Sequence, residues 1–208
     1  MENRRRIGIM GGTFDPVHMG HLIAAQEIMI SFPLDGVLFL ASGTPPHKDP
    51  ENVTPKAFRQ EMLKLAVSDN PRFEVSDIEI QRGGYTYTID TMKQLRAKYD
   101  NDTDLFYIIG ADTVPELVKW KNFDELLATT GFIAAERPGY GTPEIKEEAI
   151  RLKSEFGAKI HFLNTPEIEI SSTTIRDRIR NGVSIRYMVP QAVEDYIYKN
   201  ALYRGMKS

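Results

Sequence analysis

The chain has 208 residues, with 26 lysines and arginines against 29 aspartates and glutamates, a formal charge of −3, and 41% hydrophobic residues. That is enough apolar material for one domain with a sizeable core, and the near-balanced charge argues against a broad nucleic-acid or anionic-membrane surface. The absence of cysteine excludes a disulfide framework and thiol catalysis, and it fits a reducing compartment.

The basic start, residues 1–6, leads into an apolar run at 7–10 that is too short for a signal-peptide core. No long apolar span follows, so a cytoplasmic protein is expected, with neither membrane nor nucleic acid as partner. Residues 7–10 read as a strand, 18–32 as a helix and 37–41 as a second strand, which is βαβ order. After a Pro-rich loop at 42–55, a helix is predicted near 56–68, its apolar stripe being Phe58, Met62, Leu65 and Ala66. Strand material returns at 73–80. A Gly83-Gly84 turn leads into a helix at 88–99, and a buried-type strand at 105–109 ends in Gly110. Beyond it come a helix at 123–129, a strand at 132–135, an amphipathic helix at 144–156, a strand at 160–163, and helices near 173–181 and 190–200. The expected fold is α/β: one Rossmann-like, doubly wound, mainly parallel sheet over 1–208, helices on both faces, and a small C-terminal helical segment from about 171.

In such sheets ligands collect beyond the carboxyl ends of the strands. The loop there after the first strand, GGTFDPVHMGH at 11–21, is the most informative stretch. Gly11 and Gly12 allow positive φ and close approach of a ligand. His18 and His21, three apart, emerge from one side of a first helical turn beside unpaired amides that attract an anion. Gly20 between them is expected to leave room for a triphosphate. Neither P-loop nor dinucleotide-fingerprint spacing is present. Zinc would need ligands beyond the two imidazoles, and no His-Glu-x-x-His occurs. Plain surface histidines are the bland alternative, weakened because three of the four histidines, His18, His21 and His47, fall in two Gly/Pro-rich loops after predicted strands.

The stiff turn Pro45-Pro46-His47-Lys48 presents an imidazole and an ammonium suited to a polyphosphate; alone it would equally be a solvated loop. ISSTTIR at 170–176 offers Ser171 and Ser172 as caps and Arg176 about a turn further on. Asp112, beyond Gly110, suits ribose hydroxyls or a helix cap. Trp120 suits a planar ring or the core, and Thr86, Tyr87 and Thr88 place hydroxyls near the expected cleft.

Taken together, GGTFDPVHMGH, PPHK at 45–48, TYTIDT at 86–91 with IIGADTVPELVKW at 108–120, and ISSTTIR resemble the nucleotidyltransferase superfamily with the His-x-Gly-His signature. Within it the likeness is to the nicotinate-nucleotide adenylyltransferase family. The resemblance implies adenylyl transfer from ATP to nicotinate mononucleotide, giving deamido-NAD and pyrophosphate. It implies Mg2+ held mainly by the ATP phosphates, with no protein metal site, and it allows a homo-oligomer. It also implies catalytic roles for His18, His21, Lys48 and Arg176, and an ATP site of Gly11, Gly12, Thr13, Phe14, His18, His21, Gly110, Asp112, Ser171, Ser172, Thr173, Ile175 and Arg176. The nicotinate nucleotide would meet Asp15, His47, Lys48, Thr88, Trp120 and Arg137. One departure bears on the acceptor: Gly84-Tyr85-Thr86-Tyr87-Thr88 stands where relatives commonly read Gly-Pro-Ser-Tyr-Thr. Nicotinamide mononucleotide or phosphopantetheine as acceptor, and a non-catalytic nucleotide sensor, are the rival readings.

Overall fold

A computed structural model describes residues 4–44, 50–99, 102–136 and 142–204. Six strands form one parallel sheet: β1 (Arg5–Gly12), β2 (Gly36–Ala41), β3 (Phe73–Ser76), β4 (Thr103–Gly110), β5 (Gly131–Glu136) and β6 (Lys159–Asn164), in the spatial order β3-β2-β1-β4-β5-β6. The order reverses between β1 and β4, so their connections leave in opposite directions and open a crevice at the carboxyl edge.

The period-2 alternation of the strands assigns the two faces. Val37, Phe39 and Ala41 turn to a core shared with α1 (Met19–Ser31), α2 (Lys56–Val67), α7 (Ser172–Arg180) and α8 (Gln191–Lys199). Leu38 and Leu40, with Ile7 and Ile9, turn to a second core under α4 (Thr88–Lys98), α5 (Phe123–Thr129), α6 (Pro143–Phe156) and a 3-10 helix, Ala111–Lys119. The C-terminal helices are therefore part of the main core: Ile175, Ile179, Val193 and Ile197 bury against the same cluster as the sheet. Among the described residues no helix is long and apolar enough to cross a membrane.

Three expectations are corrected. The strand predicted to run to residue 80 stops at Ser76, which pairs with the penultimate residue of β2, Leu40, and the chain turns into the short helix α3 (Ile78–Arg82). Ser76 Oγ accepts the Ile78 N–H (3.3 Å), and Gln81 donates to the Asp77 carboxylate (2.7 Å), so local side chains support the turn that replaces further sheet pairing. The buried stripe of α2 is Arg59, Met62, Leu63, Ala66 and Val67, while Phe58 and Leu65 are only partly buried. Gly11 and Gly12 lie inside β1 and take no positive φ; the left-handed residue of the loop is Phe14, at φ 49°.

Candidate active site

A cavity of about 760 Å3 opens at the carboxyl ends of β1 and β4. Small residues make it possible. A Cβ on Gly11 would run into the Tyr107 hydroxyl, and one on Gly110 into the Asp112 carboxylate. The glycines are required for space here, not for their backbone freedom. Phe14 closes the turn: buried and left-handed, it sets its ring edge-on to His21, with centroids 4.9 Å apart. A non-glycine residue in that region is uncommon and strained, which implies that the surrounding packing holds it there.

His18 is the N-cap of α1 and His21 its third helical residue, so both imidazoles stand at the helix's positive end and line the cavity. Their rings stack, with centroids 3.7 Å apart. His21 Nδ1 accepts the backbone N–H of His18 (3.2 Å), which leaves the ring proton on Nε2 as a donor. The amides expected to be unpaired are partly taken: Met19 N–H donates to the Met188 carbonyl (2.9 Å) and His21 N–H to that of His18 (3.0 Å). Anion contact at this helix end therefore falls more to the imidazoles. Gly20 serves His18 directly, since a Cβ there would lie 3.1 Å from His18 Nδ1.

Of the other residues singled out from sequence, Gly11, Gly12, Thr13, Phe14, Thr88, Gly110, Asp112, Trp120, Ser171 and Ser172 line the same cavity. Trp120 meets Tyr107 edge-on, at 6.1 Å and 90°, and keeps part of its surface free toward the cavity. Asp15, Thr173, Ile175 and Arg176 do not line it. Asp15 is 4% exposed; its carboxylate accepts from Tyr203 Oη (2.8 Å) and the Thr54 N–H (3.1 Å), which fixes the loop. Arg176 donates to the Asp15 carbonyl (2.9 Å) and to Thr173 Oγ1 (3.3 Å), and Ile175 is fully buried in the core. With Ser172 Oγ donating to the Pro16 carbonyl (2.9 Å), Arg176 fastens α7 onto the GGTFDP loop. His47, Lys48 and Arg137 lie outside the described residues.

Sequence reasoning missed a buried organiser. Arg59, 1% exposed, donates to the carbonyls of Thr54, Thr13 and Ser42 (2.8 Å each) and Gly43 (3.2 Å). It joins the loop after β1 to the loop after β2. Burial pushes its guanidinium below its ordinary value, opposed by Asp15, Tyr203 and Glu79. The signal was present in its register, three and four residues before Met62 and Leu63 on the buried face.

Glu79 was missed as well. It is 3% exposed yet reaches the cavity wall, and burial raises its carboxyl to about 7. Lys119 and Lys121 flank Trp120 at the rim, where Lys121 Nζ lies 4.4 Å from the Tyr87 ring and 3.2 Å from Asp90. At the cavity floor Tyr107, hydrogen-bonded to Thr88, is raised far above its ordinary value by burial and stays a neutral hydroxyl.

The cytidylyltransferase-like family model matches residues 9–178, and the fold with paired imidazoles at its switch point is of that class. Proteins named "probable nicotinate-nucleotide adenylyltransferase" are 48% identical to this chain in Thermoanaerobacter sp. strain X514, over 98% of this chain and 97% of the relative. The same name and identity apply in Desulfitobacterium hafniense strain Y51, over 96% of each chain. The chain belongs to the nicotinate-nucleotide adenylyltransferase family. A Plasmodium falciparum nicotinic acid mononucleotide adenylyltransferase solved in complex with NaAD has the same fold, with a TM-score of 0.77 at 21% identity over 96% of this chain and 97% of the other.

Proposed function

We propose that this chain transfers the adenylyl group of ATP to nicotinate mononucleotide, releasing pyrophosphate and forming deamido-NAD. The observation that carries the reading is the stacked His18–His21 pair at the positive end of α1, inside a cavity roomy enough for two nucleotides. An oxygen of the acceptor's 5′-phosphate attacks the α-phosphorus of ATP. The bond from that phosphorus to the bridging oxygen breaks, and pyrophosphate leaves with the electron pair. The attacking oxygen is already anionic at neutral pH, so no general base is needed, and catalysis reduces to alignment and charge stabilisation.

His18 and His21 grip the triphosphate. Gly110, Asp112, Ser171 and Ser172 border the adenosine and phosphates, and Thr88 and Trp120 border the acceptor. Arg176 acts by holding α7 against the loop. Lys48, His47 and Arg137 enter through the motif likeness alone. Among the described residues no group of three His, Cys, Asp or Glu side chains is placed to hold a metal ion. The donor set facing the phosphates is imidazole and hydroxyl, so it fits Mg2+ that arrives on the triphosphate, where the ion supplies charge neutralisation. The reading carries with it a cytoplasmic location. The test is pyrophosphate release from ATP with nicotinate mononucleotide, nicotinamide mononucleotide or phosphopantetheine. The first is expected to be the preferred acceptor, and indifference among the three, or no release, overturns the reading.

A further inference from the structure

The mechanism leaves Glu79, a buried titratable group of the cavity wall, unused. Glu79 sits on α3 with its Oε1 accepting from Thr91 Oγ1 (2.7 Å), and Arg82 donates to that same hydroxyl (3.0 Å). Arg82 from its own helix and Arg59 from α2 favour its charge from a distance, and Tyr107 faces it from β4. Among the described residues no lysine or arginine forms an ion pair with it, so desolvation prevails over these attractions. Its carboxylate is held by Thr91, three residues beyond Thr88 on α4, and faces Tyr107, whose hydroxyl is hydrogen-bonded to Thr88, so it stands at the Thr88 end of the cavity.

We propose that Glu79 sets how tightly the acceptor binds, because its ionised carboxylate repels the acceptor's negative charge and its protonated form does not. The inference rests on the acceptor lying at the Thr88–Trp120 end, as argued above. An anion that raises a neighbouring carboxyl's pKa by about one unit binds about tenfold less well to the ionised form. Glu79→Gln keeps the Thr91 hydrogen bond and fixes the neutral state.

The experiment measures kcat and KM for nicotinate mononucleotide and for ATP at pH 6 and pH 8.5, in wild type and Glu79→Gln. The two proteins are expected to match at pH 6 and to diverge by about tenfold in acceptor KM at pH 8.5, with kcat and the KM for ATP alike. The acceptor phosphate titrates near pH 6, but identically for both proteins, so it cancels in the ratio. A ratio that does not change with pH leaves Glu79 a mere tie between α3 and α4 and overturns the inference. Should the variant fail to fold, wild type decides alone. Calorimetric titration with nicotinate mononucleotide at pH 7.5, in buffers of different ionisation enthalpy, is expected to show uptake of about half a proton, and no uptake overturns the inference. Failure of the functional reading looks different: wild type would neither bind nor turn over nicotinate mononucleotide at any pH.

Discussion

Replacing Arg59 by Met removes the guanidinium while keeping a long apolar stem in its place. Four main-chain carbonyls, those of Thr13, Ser42, Gly43 and Thr54, then lose their donor inside the protein. Each buried acceptor left unsatisfied costs about 1–3 kcal/mol, partly offset by relief of the guanidinium's own desolvation and by water that enters. The net loss is expected at about 3–5 kcal/mol, a large share of the roughly 5–15 kcal/mol that holds a domain together. For a chain of this size that lowers the melting temperature by about 10 °C. Because Thr13 and Ser42 border the cavity, turnover at a temperature where the variant is fully folded should fall about tenfold or more, with a raised KM for ATP. Arg59→Lys keeps the charge but not the planar fork, so it should lie between the two. Urea unfolding and pyrophosphate release measure both quantities. An Arg59→Met protein within about 1 kcal/mol of wild type, and fully active, refutes the idea that this side chain holds the two loops together.

His18→Ala should lower turnover by about two to three orders of magnitude while lowering the melting temperature by only a few degrees for the lost cap and ring packing, and near-normal turnover would remove His18 from the phosphate site. Gly11→Ala should be destabilised and nearly inactive because its methyl occupies the place of the Tyr107 hydroxyl; adding Tyr107→Phe should restore part of both, and no recovery would mean that the clash lies elsewhere. Glu79 also makes stability depend on pH. Its carboxyl lies at about 7 when folded against an ordinary 4.5, so the folded state keeps the proton that the unfolded chain has already lost. Stability is fullest below the ordinary value and falls as pH rises toward the folded one, with roughly 3 kcal/mol lost by pH 8. Glu79→Gln should therefore unfold at higher urea than wild type at pH 8 and at about the same urea at pH 5, and equal midpoints at both would refute the burial cost.

What was legible in the sequence is what local pattern encodes. The short apolar runs of β1 and β2, the His-x-Gly-His spacing at the start of α1 and the serine cap of α7 each express a constraint carried by neighbouring residues, and each led to the correct element. Asp15 shows where this stops. Adjacent to a phosphate-type loop, it reads as a ligand contact, yet its partners Tyr203 and Arg176 lie 188 and 161 residues further along the chain. No local signal announces a bond across such a span. Arg59 is the intermediate case: its register on α2 points inward, but the carbonyls it serves belong to two loops, after β1 and after β2, that only the fold brings together.

These distant ties have one target. Arg59 holds the loop from the α2 side, Tyr203 and Thr54 hold Asp15 from beneath, and Ser172 and Arg176 hold Pro16 and Asp15 from α7. Between those anchors and the first turn of α1 the chain has little freedom left, and His18 and His21 sit at that point. Donors that must meet charge developing on a transferring phosphoryl group act best when nothing reorganises during the reaction. On that argument, the parts of the site the sequence concealed are the supports that keep the two visible imidazoles in place.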